Sequence, residues 1–353
     1  MTATQSASCL DRPQALQSRS FSRPISRRMR LFNWLLGASG GGIQKRATDS
    51  EVIAAQRPIP RNVLTNMIFG SRADHVDVHD ELLPSPHETV SLRIYSPAVS
   101  QPQHSPVLYM HGGGWVAGDV GLTDWWCSEF AARTRSVVAS VGYRLAPGHR
   151  FPAPLEDCFA ALCWLDSHRG VFAPEAAGIS VMGDSAGANL AAALCLYVRE
   201  RGGPRIIRQT LINPCLDLTM QSPSIKENAS APILTEGDLK AYIQHYLGST
   251  GRASDSLASP LLASDLSNLP PALIQVAEHD PLRDDGWRYS ARLADAGVPV
   301  RITEYAGATH GLANFPGLTR TARRVLEEAC VVHGTPLASS CSTTPADIRA
   351  WHL

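Results

Sequence analysis

The tightest constraint on this chain is Gly183-Asp184-Ser185-Ala186-Gly187, which joins an apolar strand-like run to an alanine-rich helix-like run with no residues to spare. Gly178–Met182 reads as a buried strand. Ala186–Arg201, with Ala186, Ala188, Ala191, Ala192 and Ala193 in its first half, reads as a helix closed by Gly202-Gly203-Pro204. So abrupt a turn strains the serine backbone and crowds strand against helix, and only small residues fit two positions away on either side. A chain with such a turn must lay a helix closely against a sheet.

The rest of the chain alternates in the same way. His75–Tyr95 reads as a pair of opening strands. Pro106–Met110, Ser136–Gly142, Ile206–Ile212, Ala272–Val276 and Val300–Tyr305 read as further strands, with helices over Leu122–Arg135 and from Pro154 through Leu165. This alternation predicts an α/β fold with a mainly parallel central sheet flanked by helices. The stretch 216–259 has no strand-like run and predicts a helical insertion over the carboxyl ends of the strands, where open α/β sheets place their sites.

At 353 residues and 44% hydrophobic content, the chain can bury a sizeable core as one domain with an attached cap. Lys and Arg total 32, as do Asp and Glu, so charge gives no basis for a nucleic-acid partner. No apolar run is long enough to span a bilayer. The eight cysteines (9, 127, 158, 163, 195, 215, 330 and 341) form no CxxC pair; they read as reduced, mostly buried thiols of a cytoplasmic protein rather than as metal ligands.

The ends differ from the middle. Residues 1–46 carry seven Arg and one Lys against one acid, Asp11. They are expected to form a disordered basic leader running into an amphipathic helix over Met29–Leu36, although the composition also suits an organelle-import segment. The main domain is placed at 47–333, with a cap drawn from about 29–72 and 216–259. Residues 334–353 are expected to be a disordered tail.

Three segments carry chemistry. Ser185 is the candidate nucleophile at the strained turn. His111-Gly112-Gly113-Gly114-Trp115 follows a strand, and its bare backbone N–H groups suit an oxyanion. The candidate donors are those of Gly113 and Gly114, joined by Ala186 just after the serine. A phosphate cradle is the weaker choice, since neither GxxxxGK[ST] nor GxGxxG is present. His111 is expected to brace the glycine loop.

With the chain order Ser, acid, His, five histidines follow Ser185: His245, His279, His310, His333 and His352. His310, in the small-residue loop Ala306-Gly307-Ala308-Thr309-His310-Gly311, is the candidate base. Asp280, after the run Leu273–Ala277, is the candidate acid that orients it. Asp284, Asp285 and Asp217 are rivals, the first two adequately explained as helix-capping groups. Glu156 and Asp157 are expected to cap or brace the helix after Pro154. Trp115, Trp125 and Trp126 either line the mouth of the site or belong to the core.

Together with Tyr143-Arg144-Leu145-Ala146-Pro147, the run Phe151–Asp157, Asp280-Pro281-Leu282 and His310-Gly311, these segments resemble the hormone-sensitive-lipase family of α/β-hydrolase esterases, in its GDSAG branch, across roughly residues 73–329. The resemblance implies the α/β-hydrolase fold with a helical cap, a triad of Ser185, Asp280 and His310, and oxyanion donors at Gly113, Gly114 and Ala186. It further implies cofactor-free hydrolysis of short- to medium-chain carboxylic esters through an acyl-enzyme, with a small-molecule ester as partner and a homodimer as a further expectation. A deacetylase or lactonase acting on a specific metabolite would carry the same triad. A non-catalytic binding module on this fold would have lost a member of it. The chain departs from the family pattern at Ala188, where glycine is usual, at Leu312, where an aromatic is common, and at Gly148 and Arg150.

Overall fold

A computed structural model describes residues 23–38, 42–46, 48–83, 89–98, 104–249 and 251–334. Eight strands run in chain order as β1 (Val76–Leu83), β2 (Val90–Pro97), β3 (Val107–Met110), β4 (Val138–Gly142), β5 (Ile179–Asp184), β6 (Ile206–Ile212), β7 (Ala272–His279) and β8 (Val300–Thr309). They form one sheet in the order β1-β2-β4-β3-β5-β6-β7-β8. The pairs β1–β2 and β2–β4 are antiparallel and all the others parallel, as the alternation of elements requires.

The main helices are α1 (Arg27–Ala38), α2 (Asp49–Ala55), α3 (Val63–Phe69), α4 (Asp124–Thr134), α5 (Ala153–Ser167), α6 (Ala186–Arg201), α7 (Glu236–Leu247), α8 (Arg283–Asp295) and α9 (Thr321–Gly334). Alternate residues of the central strands feed two separate cores. Leu108, Met110, Val181 and Ile274 pack with Leu155 of α5, Leu190 of α6 and Leu293 of α8. Val107, Tyr109, Met182 and Leu273 pack with Trp126 and Phe130 of α4 and Val325 of α9. The continuous apolar runs follow from this: a strand covered on both faces has no side for water.

Two boundaries move. β7 continues to His279 and β8 to Thr309, so the small-residue loop expected before His310 is strand. The pairing passes from Ala277 opposite Tyr305 to His279 opposite Thr309, and β8 therefore carries extra residues in a bulge, with Gly307 at φ 72°.

The helix expected at Met29–Leu36 runs from Arg27 to Ala38. The basic leader is thus helical and packed over part of its described length: the Arg23 carbonyl lies 2.7 Å from His279 Nε2, and Met29 is buried. Residues 1–22 and the expected tail at 335–353 lie outside the described residues. The insertion 216–259 contains α7 and the short helical turn Ser224–Glu227, with no strand among its described residues. Helix starts here follow local chemistry, with reciprocal caps at Thr48/Glu51, Asn62/Thr65 and Thr235/Asp238. Gln44 donates to Thr235 Oγ1 and Asp238 Oδ1, and Asn33 Oδ1 accepts from Ile233 N, so the amino-terminal arm and the insertion are bonded to each other. The six described cysteines are free thiols. No helix among the described residues is long and apolar enough to cross a membrane.

Candidate active site

Parallel strands bring their carboxyl ends to one edge of the sheet, and each candidate residue follows such an end: His111 after β3, Ser185 after β5, Asp280 after β7 and His310 after β8. Ser185 has φ 54° and ψ −117°, a conformation in which an L-residue persists only when its surroundings enforce it. Its N–H donates to Ile212 O at 2.8 Å, and its carbonyl starts α6 by accepting from Asn189 N. A Cβ on Gly187 would enter the carbonyls of Met110 and His111, and one on Gly183 would enter the backbone of Gly187. Gly187→Ala should therefore cost about 3 kcal/mol or more, read as a shift in the urea unfolding midpoint, because the obstruction is backbone and cannot rotate away.

The three candidate side chains meet in one line. His310 Nε2 lies 2.9 Å from Ser185 Oγ, and His310 Nδ1 lies 2.8 Å from Asp280 Oδ2. A carboxylate only accepts, so Nδ1 carries the proton and Nε2 faces the serine hydroxyl as an acceptor. Asp280 is fully buried, and its other oxygen accepts from Leu282 N at 2.8 Å. Asn213, at the end of β6, accepts from Leu312 N and so pins the turn just past His310.

The rival groups are engaged elsewhere. Asp285 accepts from Leu216 N, Asp217 N and Ser222 Oγ. Burial pushes its carboxyl up to about 7 against the pull of these donors. Asp284 accepts from Ser224 N and Arg283 Nε, and Asp217 from Arg288. Among the histidines, His245 meets Asp49, His279 meets the Arg23 carbonyl and His333 meets Ser136; His352 lies outside the described residues. Asp157 accepts from the backbone and guanidinium of Arg144 and holds the loop ahead of α5.

His111 stacks on Tyr143 at 4.2 Å, with Nδ1 2.7 Å from Gly112 O, and burial lowers its pKa, so it braces the glycine loop as a neutral ring. Gly113 and Gly114 take φ 123° and 61°. With Ser185, Ala186 and His310 they line a cavity of about 150 Å³ whose apolar walls include Leu122, Ile233, Leu239, Tyr242 and Leu282. Trp115 is the only one of the three tryptophans in that lining; Trp125 and Trp126 are core.

Two residues were not singled out from the sequence. Asp184, inside the serine motif, is buried and accepts from Gly112 N at 2.9 Å, Tyr109 Oη at 2.8 Å and Asn314 Nδ2 at 3.1 Å. It ties the glycine loop to the serine turn; a charged residue at the end of an apolar strand was the available signal. Tyr242 of α7 presses its ring against the Gly114 backbone, and nothing local in the insertion marks it.

The family model described as the alpha/beta hydrolase fold matches residues 107–314. Esterase LipI of Mycobacterium tuberculosis is 38% identical over 271 residues, which cover 73% of this chain and 85% of that protein. Carboxylesterase NlhH of the same organism is 38% identical over 229 residues, 64% of this chain and 72% of that protein. Among solved structures, the hyperthermophilic esterase from the archaeon Pyrobaculum calidifontis superposes with a TM-score of 0.77 at 31% identity, covering 88% of this chain and 98% of that one. The chain belongs to the α/β-hydrolase family, in its hormone-sensitive-lipase-like group.

Proposed function

We propose that this chain is a serine carboxylesterase that cleaves short- to medium-chain carboxylic esters through an acyl-enzyme. It is a carboxylic ester hydrolase, and the observation that carries the mechanism is the unbroken line Ser185–His310–Asp280 on the cavity wall. His310 takes the proton of Ser185 as Oγ attacks the ester carbonyl and returns it to the departing alcohol; water activated in the same way then releases the acid. Asp280 holds the imidazole in the tautomer this requires and stabilises its cation. The N–H groups of Gly113, Gly114 and Ala186 receive the oxyanion, the last at the amino terminus of α6, where the helix dipole adds to the effect. The cap comprises residues of about 29–72 and 216–259, and the second of these segments supplies Ile233, Leu234, Leu239 and Tyr242 to the cavity walls.

The small apolar cavity favours short acyl groups. Kinetics with p-nitrophenyl esters from acetate to laurate, with lactones and amides alongside, test this: kcat/KM should peak at the shortest chains. A phosphonate ester should leave one adduct, on the Ser185 peptide by mass spectrometry. Absence of an adduct would defeat the serine mechanism. Tyr242→Ala removes a ring from the wall over Gly114 and should raise kcat/KM for hexanoate relative to acetate by about tenfold, the worth of filling a newly opened apolar space. An unchanged acyl profile would take Tyr242 out of the specificity wall.

A further inference from the structure

We infer that the outer face of α1 docks the protein onto an anionic lipid surface. Nine of the thirteen large apolar side chains exposed among the described residues fall between Leu31 and Met67. On α1, Met29 and Phe32 face inward, Phe32 against Phe315 at 5.3 Å between ring centroids. Leu31, Trp34 and Leu35, at the i, i+3, i+4 spacing of one helical stripe, are 58%, 66% and 52% exposed. The first turns of the same helix carry Arg27, Arg28 and Arg30, all exposed and in no ion pair among the described residues.

A helix with a basic end and a Trp-Leu stripe matches the interfacial pattern, in which apolar side chains enter the headgroup boundary and arginines meet lipid phosphates. Charge selects this occupant. Neither α1 nor α3 carries an acidic residue, so a second copy of this face offers the arginine cluster no counter-charge, whereas an anionic bilayer complements it. The surface is also tied to the site by packing and one hydrogen bond. α3 rests on the same Phe315 through Phe69 and exposes Val63, Leu64 and Met67, and Asn33 of α1 holds Ile233 in the cavity wall. Docking would bring the site's mouth to the place where apolar esters partition.

The test is sedimentation of the full-length chain with phosphatidylcholine vesicles, with and without phosphatidylglycerol, at low and high salt. Binding should require phosphatidylglycerol and fade with salt. Neutralising the arginines (Arg27→Gln, Arg28→Gln, Arg30→Gln) should weaken it about a hundredfold. The Leu31→Ser, Trp34→Ser, Leu35→Ser triple variant should lose at least as much, while both variants hydrolyse a water-soluble acetate ester at the wild-type rate. No sedimentation at low salt, or binding that both variants retain, would overturn the inference. So would light scattering showing a dimer that the triple variant dissociates without any vesicle binding, which would make the face a contact between copies. Hydrolysis of the soluble ester is read separately, so failure to dock leaves the esterase reading intact.

Discussion

Ser185→Ala should lower kcat by a factor on the order of a million while leaving the unfolding free energy within about a few tenths of a kcal/mol of wild type or raising it. The first number follows from losing a nucleophile whose neighbours act only through it. With Oγ removed, His310 Nε2 and the glycine loop remain in place, but there is no bond for them to assist. The second follows from position. Ser185 is held at φ 54° by its backbone bonds to Ile212 and Asn189, and its side chain contributes only a partly exposed hydroxyl. The measurement is kcat on p-nitrophenyl acetate beside urea unfolding of the same preparation. A residual rate within a hundredfold of wild type would mean that another group performs the attack.

Asp280→Asn should be nearly as severe, lowering kcat by about ten-thousandfold with the fold retained, because the amide no longer selects the tautomer that turns an unprotonated Nε2 toward the serine. Asp285→Asn is the informative companion. Asp285 receives two backbone N–H groups at the start of the insertion together with Ser222 Oγ, and touches neither His310 nor Ser185. Its replacement should cost about 1–3 kcal/mol of stability through donors left poorly matched, with kcat on the folded fraction within a few-fold of wild type. If Asp285→Asn silences the folded enzyme and Asp280→Asn does not, the acid has been misassigned.

The contrast between these two carboxylates shows how far the linear chain can be read. Both stand within six residues of the end of β7, in a segment where the sequence offers an acid at 280, 284 and 285. Adjacency to the strand favoured Asp280, but capping could account for only part of what the others do. Asp285 is neither exposed nor merely a cap: it is buried beneath the insertion and bonded to residues nearly seventy positions earlier. Asp184 makes the same point in the opposite direction. The motif places it next to the serine, yet its work is to hold Gly112 and Tyr109, which arrive from β3 because Met110 pairs with Gly183.

Local physics explains what was legible early. The strand–turn–helix at Ser185, the bare glycines after β3 and the apolar runs of a doubly covered sheet are consequences of neighbouring residues, and chain order alone put acid before histidine. What only the tertiary structure decided is pairwise and distant. The bulge at Gly307 lengthens β8 and carries His310 past the strand end to meet Asp280, Tyr242 comes from the insertion to cover Gly114, and α1 turns Phe32 inward and Trp34 outward. Strand register and helix rotation set those meetings. Both depend on which surfaces the whole chain can bury together, a quantity that no short stretch of residues contains.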